Sequence, residues 1–308
     1  MAVKVNIDAG HGSNTAGKRT PPFPYDVVIN DKITVKKGEQ FREHIASVGV
    51  SYYLEQELKR HGFETTKTGW NDSNAFDDPD TSISDRQAAI KKAKCDYSIS
   101  VHFNAYGDGK DFNSASGVVI YFHDKYPGQS KKMAETVLKN LMENSGQNNR
   151  GVSAKALGMC NCNSLGTKAA ILIELAFMTN LREAVSMMAN EAFWKESAKK
   201  ICKGICEYTG VKYKPDNYMP AESVTPESSK ADIRWVQERL NVVLPQIYDY
   251  PVKDIIPLKV DGVFGPKTRI ATLLYWDALG WGKHMNDDGT RVGKSTREAL
   301  VSGTVNKL

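Results

Sequence analysis

The chain holds 308 residues, of which 41% are hydrophobic and 25% charged, and it carries a formal net charge of +5. This is the balance of an ordinary soluble protein with two domains; no block of clustered Lys or Arg marks a nucleic-acid footprint, and no apolar stretch approaches the roughly 20 residues that span a bilayer. Five cysteines, an odd number in a long chain, do not read as a disulfide framework and are expected to be reduced.

From the amino terminus, Val3–Ile7 reads as a short buried strand leading into Asp8-Ala9-Gly10-His11-Gly12. The strand begins at once, without the basic n-region or apolar h-region of a signal peptide, so the chain is expected to be made in the cytoplasm and to need another route of release. Pro21, Pro22 and Pro24 precede Val27–Val35, which reads as a hairpin turning at Asn30-Asp31. Glu43 opens the first clear helix. Val50, Leu54 and Leu58 recur every fourth residue on one face, Lys59, Arg60 and His61 crowd the last turn, and Gly62 is placed to cap it.

A strand over Phe63–Thr68, a helix over Ser84–Lys94 and the run Tyr97–Val101 leading to His102 come next. A strand over Gly117–Phe122, a helix over Ser130–Asn144 and the run Ala170–Ile173 leading to Glu174 follow. Asn180-Leu181-Arg182-Glu183 has the form of an N-cap with an acid three residues on, and a last helix covers Glu191–Tyr208. This alternation predicts an α/β domain over residues 1–211, with a mostly parallel sheet flanked by helices.

Residues 212–230, with three prolines and a Glu/Ser/Thr-rich stretch, suit a linker. Residues 231–308 turn to helices and turns, a small helical C-terminal domain. Within it Asp261-Gly262 and Gly265–Ala271 are echoed by Asp288-Gly289 and Gly293–Ala299, an internal repeat of a small helical unit.

Three of the apolar runs end in His11, His102 and Glu174, residue types that hold or serve a metal. Ligands of open α/β sheets bind beyond the carboxyl ends of the strands, so the three converge if their strands are neighbours. Zinc catalysis takes three protein ligands from His, Asp, Glu or Cys and keeps one position open. His11 and His102 are the candidates by position, whereas His44 and His61 lie on the first helix, His123 follows a strand and His284 lies in the second domain. The third ligand should be a carboxylate reaching back from another element. Glu43 at its helix start is favoured, with Glu39 and His44 as rivals that remain open at this point. Taken singly, a strand-end His or a Glu in a first helical turn has an ordinary structural explanation. Cys160 and Cys162 lack the rest of a zinc set and read as loop thiols, and Cys202 and Cys206, four apart on a helix, read as apolar packing.

Several motifs together resemble the zinc-dependent N-acetylmuramoyl-L-alanine amidases of the amidase-3 type, over about residues 1–210. They are Asp8–Gly12, Glu43 heading a helix that closes at Gly62, Arg86 sixteen residues before His102, Ser100–Ala105 and Ile171–Asn180. The resemblance implies that His11, Glu43 and His102 hold Zn2+, that Glu174 is the catalytic acid/base, and that the substrate is the amide between N-acetylmuramic acid and L-alanine in bacterial peptidoglycan. Ala176, Thr167-Lys168 and Ser47 depart from residues common in that family without removing a catalytic group. Arg86 is read as a structural anchor ahead of a contact to the peptide stem, and Asn104 and Asn180 as turn and cap residues.

Ile233–Asn241 followed by Val260–Thr268 resembles the helical peptidoglycan-binding type 1 domain, although Tyr275-Trp276 replaces its usual Phe-Gln. Trp235, Tyr275, Trp276 and Trp281 are expected in the core rather than stacked on sugars. Joined to an amidase, such a module implies a phage endolysin, made in the host cytoplasm and acting on the wall after release, with no nucleic-acid partner and no membrane insertion. A catalytically inactive wall-binding protein, and a host autolysin or sporulation amidase of the same chemistry, are the competing readings. The oligomeric state is not legible.

Overall fold

Short runs of β-branched and small apolar residues build a central sheet, and the helices between them cover its two faces. A computed structural model describes residues 2–30, 32–215, 219–248, 255, 257–281 and 288–303. Asp31 of the expected hairpin turn and His284 lie outside the described residues. The strands are β1 (Lys4–Ala9), β2 (Val27–Val28), β3 (Thr34–Val35), β4 (Glu64–Thr68), β5 (Tyr97–Asn104), β6 (Val118–Phe122), β7 (Asn149–Ala154) and β8 (Ala169–Phe177). The helices are α1 (Glu43–Arg60), α2 (Ile83–Ala93), α3 (Ser130–Met142), α4 (Cys162–Leu165), α5 (Leu181–Glu183), α6 (Glu191–Thr209), α7 (Lys230–Val243), α8 (Pro266–Ala278) and α9 (Lys294–Ser302).

Six strands form one sheet in the order β4-β1-β5-β8-β6-β7. β4, β1, β5 and β8 run parallel, and β6 lies antiparallel to β8, so the sheet is mostly parallel and flanked by helices, as the alternation of elements implies. The main core lies between the sheet and α1, α3 and α6, and a smaller one of Ile90, Met159, Cys162, Leu165 and Ala170 covers the other face. β2 and β3 pair antiparallel as the expected hairpin.

Helix α1 shows how the pattern becomes packing. Val50, Leu54 and Leu58 are wholly buried, each burial stabilising by about 1.5–3 kcal/mol. The helix stops because Gly62 takes φ +83° while the N–H groups of His61 and Gly62 bond back to Leu58 and Lys59. α2 begins a residue earlier than its pattern indicates, since Ser82 supplies the cap by accepting the Asp85 N–H. Cys160 and Cys162 are not in open loop: one ends a 3₁₀ turn, the other opens α4, and both are buried. No helix among the described residues is long and apolar enough to cross a membrane.

A second core, running from Val224 through α7, α8 and α9, forms the helical C-terminal region. Its first residue lies within the stretch expected as linker: Val224 exchanges backbone hydrogen bonds with Val292. Gln237 on α7 clamps the first Asp-Gly turn, accepting the Gly262 N–H and donating to Asp261 and the Val263 carbonyl. Tyr275 and Trp276 are wholly buried, and Trp235 and Trp281 pack partly buried against the same core. α7 meets α6 through Arg239–Glu196 at 2.9 Å and Lys195–Glu238 at 2.7 Å.

Candidate active site

β1, β5 and β8 are adjacent, so the residues at the ends of their apolar runs come together. His11 lies two residues beyond Ala9, the last of β1. His102 and Glu174 stand opposite each other in register, and their strands continue past them to Asn104 and Phe177. Both sit inside strands rather than at the very ends.

The turn carrying His11 is tightly determined. His11 adopts φ +63°, a left-handed conformation that costs a non-glycine residue about 1–2 kcal/mol. Gly10 bonds through its N–H to Val101, and the His11 carbonyl accepts from Arg86 Nη2 at 2.7 Å. Neighbouring atoms require both flanking glycines. A Cβ on Gly10 would lie 2.5 Å from the His102 ring, and one on Gly12 would lie 2.1 Å from the Asp80 nitrogen.

Arg86 is the anchor beneath this turn. Its buried guanidinium donates to Asp8 Oδ1 at 3.0 Å, to the Ala9 carbonyl at 2.6 Å and to Asp80 Oδ1 at 2.8 Å, besides His11. With Nε donating to the Thr81 carbonyl and hydroxyl as well, the guanidinium holds six acceptors at once, and all of them belong to the scaffold.

Glu43, the first residue of α1, reaches the same place and is 1% exposed. Its Oε1 is 3.0 Å from His102 Nδ1 and accepts the Phe103 N–H, while Oε2 is 3.2 Å from His11 Nε2. Burial pushes the Glu43 carboxyl up, but its bonds to His102 and His11 outweigh that and hold it down at about 2. Burial likewise opposes the charging of His102, and the Glu43 carboxylate overcomes it and raises that imidazole.

Donor atoms of His11, Glu43 and His102 all lie within 4.8 Å of one another. A tetrahedral ion with bonds of about 2.0–2.1 Å holds neighbouring N and O ligands about 3.3 Å apart, and each imidazole has a Glu43 oxygen near that distance, Oε1 at 3.0 Å from His102 and Oε2 at 3.2 Å from His11. Two imidazoles and one carboxylate suit zinc with a position left open.

Glu174 stays outside that trio. Its Oε2 is buried without a hydrogen-bond partner among the described residues. Burial first, and then the charge of Glu43, push its carboxyl up to about 7. A carboxyl poised there takes and returns a proton near neutral pH.

The rivals of Glu43 lie elsewhere. Glu39 is exposed and accepts the Lys36 N–H. His44 is buried beneath the turn, with Nδ1 2.9 Å from the Gly10 carbonyl. Asn104 bonds the Ala105 N–H and Asn180 caps α5, the local roles expected of them. Glu183, however, does not close a capping box: it accepts from Phe177 and Gly117 N–H instead, tying α5 to β8 and the start of β6.

The sequence pattern assigns no role to Asp8, Lys18 or Lys155. Asp8 is wholly buried as the partner of Arg86. The Lys18 carbonyl accepts the Glu43 N–H, and Lys18 and Lys155 place positive charge toward Glu174. Asp8 was visible as a polar residue closing an apolar run. Lys18 stands beside Arg19 in a turn-rich stretch and Lys155 between two alanines, and neither belongs to a motif that marks it.

Residues 5–207 match the family described as N-acetylmuramoyl-L-alanine amidase, Amidase_3, and the chain belongs to that family. Among curated relatives, it is 26% identical over 239 residues to the endolysin of Bacillus phage SPP1, covering 77% of this chain and 78% of that protein. It is 27% identical over 162 residues to the N-acetylmuramoyl-L-alanine amidase LytC of Bacillus subtilis strain 168, covering 50% of this chain and 31% of that protein. Among solved structures, an N-acetylmuramoyl-L-alanine amidase from Clostridium difficile 630 superimposes with a TM-score of 0.53 at 23% identity, over 68% of this chain and 98% of that one. The catalytic domain of CwlV from Bacillus (Paenibacillus) polymyxa gives 0.52 at 22% identity, over 68% and 99%. These two likenesses concern the fold.

Proposed function

We propose that the chain is a zinc-dependent amidase that cleaves the bond between N-acetylmuramic acid and L-alanine in peptidoglycan, and that it serves lysis of a host cell by a phage. The observation that carries the reading is the meeting of His11, Glu43 and His102 from three separate elements, with Glu174 across the β5–β8 pair. Similarity along most of a phage endolysin supports the lytic role over that of a host autolysin.

In this reading His11, Glu43 and His102 hold the ion. Zinc, when bound, polarises the scissile carbonyl and brings the pKa of a bound water to about 7. Glu174 accepts a proton at its carboxylate and passes it to the departing amine of L-alanine, a role its raised carboxyl and unpartnered Oε2 support. Arg86 and the Gly10–Gly12 backbone hold His11 in place without touching substrate. The helical unit of residues 231–308, approached through the 212–230 segment and with its core beginning at Val224, binds the wall and keeps residues 1–211 near their substrate.

Digestion of purified peptidoglycan tests the assignment. The zinc-loaded chain should release new L-alanine amino termini and none after chelation; new reducing sugar ends would refute it, and wall binding without turnover would mark an inactive binding protein.

A further inference from the structure

The end of α1 remote from Glu43 carries a second group of ligand-type side chains. His61, directly after Arg60, packs on Cys202 and Cys206 of α6, and both thiols are free and wholly buried. The three donor atoms lie within 4.8 Å of one another, with Cys202 Sγ 3.4 Å from His61 Nδ1. The two cysteines stand four apart on one helix and so face the same way from successive turns. A tetrahedral ion with metal–sulfur bonds of about 2.3 Å and metal–nitrogen bonds of about 2.0 Å sets S and N about 3.5 Å apart. The Cys202–His61 separation of 3.4 Å matches that edge, and the remaining donor atoms lie within 4.8 Å.

We propose that His61, Cys202 and Cys206 form a second metal site, for a thiophilic cation of the zinc(II) or copper(I) kind, separate from the candidate active site. Two thiols and an imidazole are the soft set that selects such ions. The His61 ring is already fixed: Tyr213 stacks on it at 4.8 Å and 6°, and Nε2 accepts the Lys214 N–H at 2.9 Å. Since Nε2 accepts, the ring proton sits on Nδ1 and is donated to the Glu57 carbonyl, 2.7 Å away. Metal binding therefore moves that proton to Nε2 and opens both hydrogen bonds. It also releases the two thiol protons to solvent, with no change in oxidation state. The ion joins the last turn of α1 to α6 at the point where Tyr213 and Lys214 leave the catalytic fold.

Cobalt(II) titration of the full metal-free chain tests this site, because cobalt–thiolate charge transfer absorbs where histidine and carboxylate ligands do not. Wild type should bind about two equivalents, one with the thiolate band; His11→Ala should keep the band and bind about one; Cys202→Ser with Cys206→Ser should lose the band and keep the other equivalent. A wild-type chain saturating without a thiolate band overturns the proposal, as does a band that survives in the double serine variant. If the serine variant fails to fold, the wild type and His11→Ala still decide through presence or absence of the band.

Discussion

Gly10 is the position where a single methyl group should do the most damage to the candidate active site without removing any functional group. In Gly10→Ala the added Cβ would lie 2.5 Å from both Cε1 and Nδ1 of His102. Carbon atoms pack at about 3.5 Å or more, so the imidazole must retreat by about 1 Å. That ring is also held by Glu43 at 3.0 Å, and its neighbour Phe103 bonds the same carboxylate, so its retreat strains the contact to Glu43. A displacement of about 1 Å in a catalytic constellation costs about 100-fold in rate, which is about 2.7 kcal/mol of barrier, and overpacking adds about 1–3 kcal/mol of destabilisation. The assay is release of L-alanine amino termini from purified peptidoglycan at saturating zinc, with zinc affinity measured in parallel. Loss of activity and affinity together is expected. A variant within about threefold of wild type in both would show that His102 is not held as described.

Three further outcomes follow from the same contacts. Folding raises the Glu174 carboxyl from 4.5 to about 7, so its contribution to stability is complete below about pH 4.5 and is lost as pH rises through 7. Urea denaturation of metal-free protein from about pH 5 to 8 should therefore show wild type losing up to about 3 kcal/mol more than Glu174→Gln; parallel curves would refute the shift. Arg86→Met leaves the wholly buried Asp8 without its cationic partner and should cost about 3–5 kcal/mol in denaturant titrations, with Arg86→Lys failing to restore it because an ammonium cannot span the same acceptors. A loss under about 1 kcal/mol would contradict that anchoring role. Glu43→Gln replaces the anion facing His11 and His102 by a neutral amide, so zinc affinity should fall more than about 100-fold by competition with a chelator while circular dichroism stays unchanged; retained affinity would point to another ligand.

How much of this was legible beforehand depended on the kind of contact. The runs ending at His11, His102 and Glu174 are buried strands of the sheet interior, where continuous apolar sequence is the signature, and Val50, Leu54 and Leu58 mark the α1 face directly. β7 carries no strand signature because Asn149–Ala154 lies at the sheet edge, partly exposed, with neither an apolar run nor alternation. The reversed direction of β6 was equally hidden, since strand direction depends on connections and not on strand composition. Local pattern favours Glu43 at its helix start but does not exclude Glu39 or His44; their separation needs the turn of α1, which sends Glu43 toward the histidines and His44 toward Gly10. Glu183 looked like a capping acid because its spacing from Asn180 is right, yet the Phe177 and Gly117 N–H groups it bonds are brought near only by the fold.

In the proposed reaction Glu174 moves the proton while His11, Glu43 and His102 hold the metal, and one comparison separates those roles. Zinc content and amide cleavage are measured on the same preparations of wild type and Glu174→Gln. Undiminished zinc with cleavage reduced by about 100-fold or more is the predicted result. Cleavage at the wild-type rate, or loss of zinc together with activity, would contradict it.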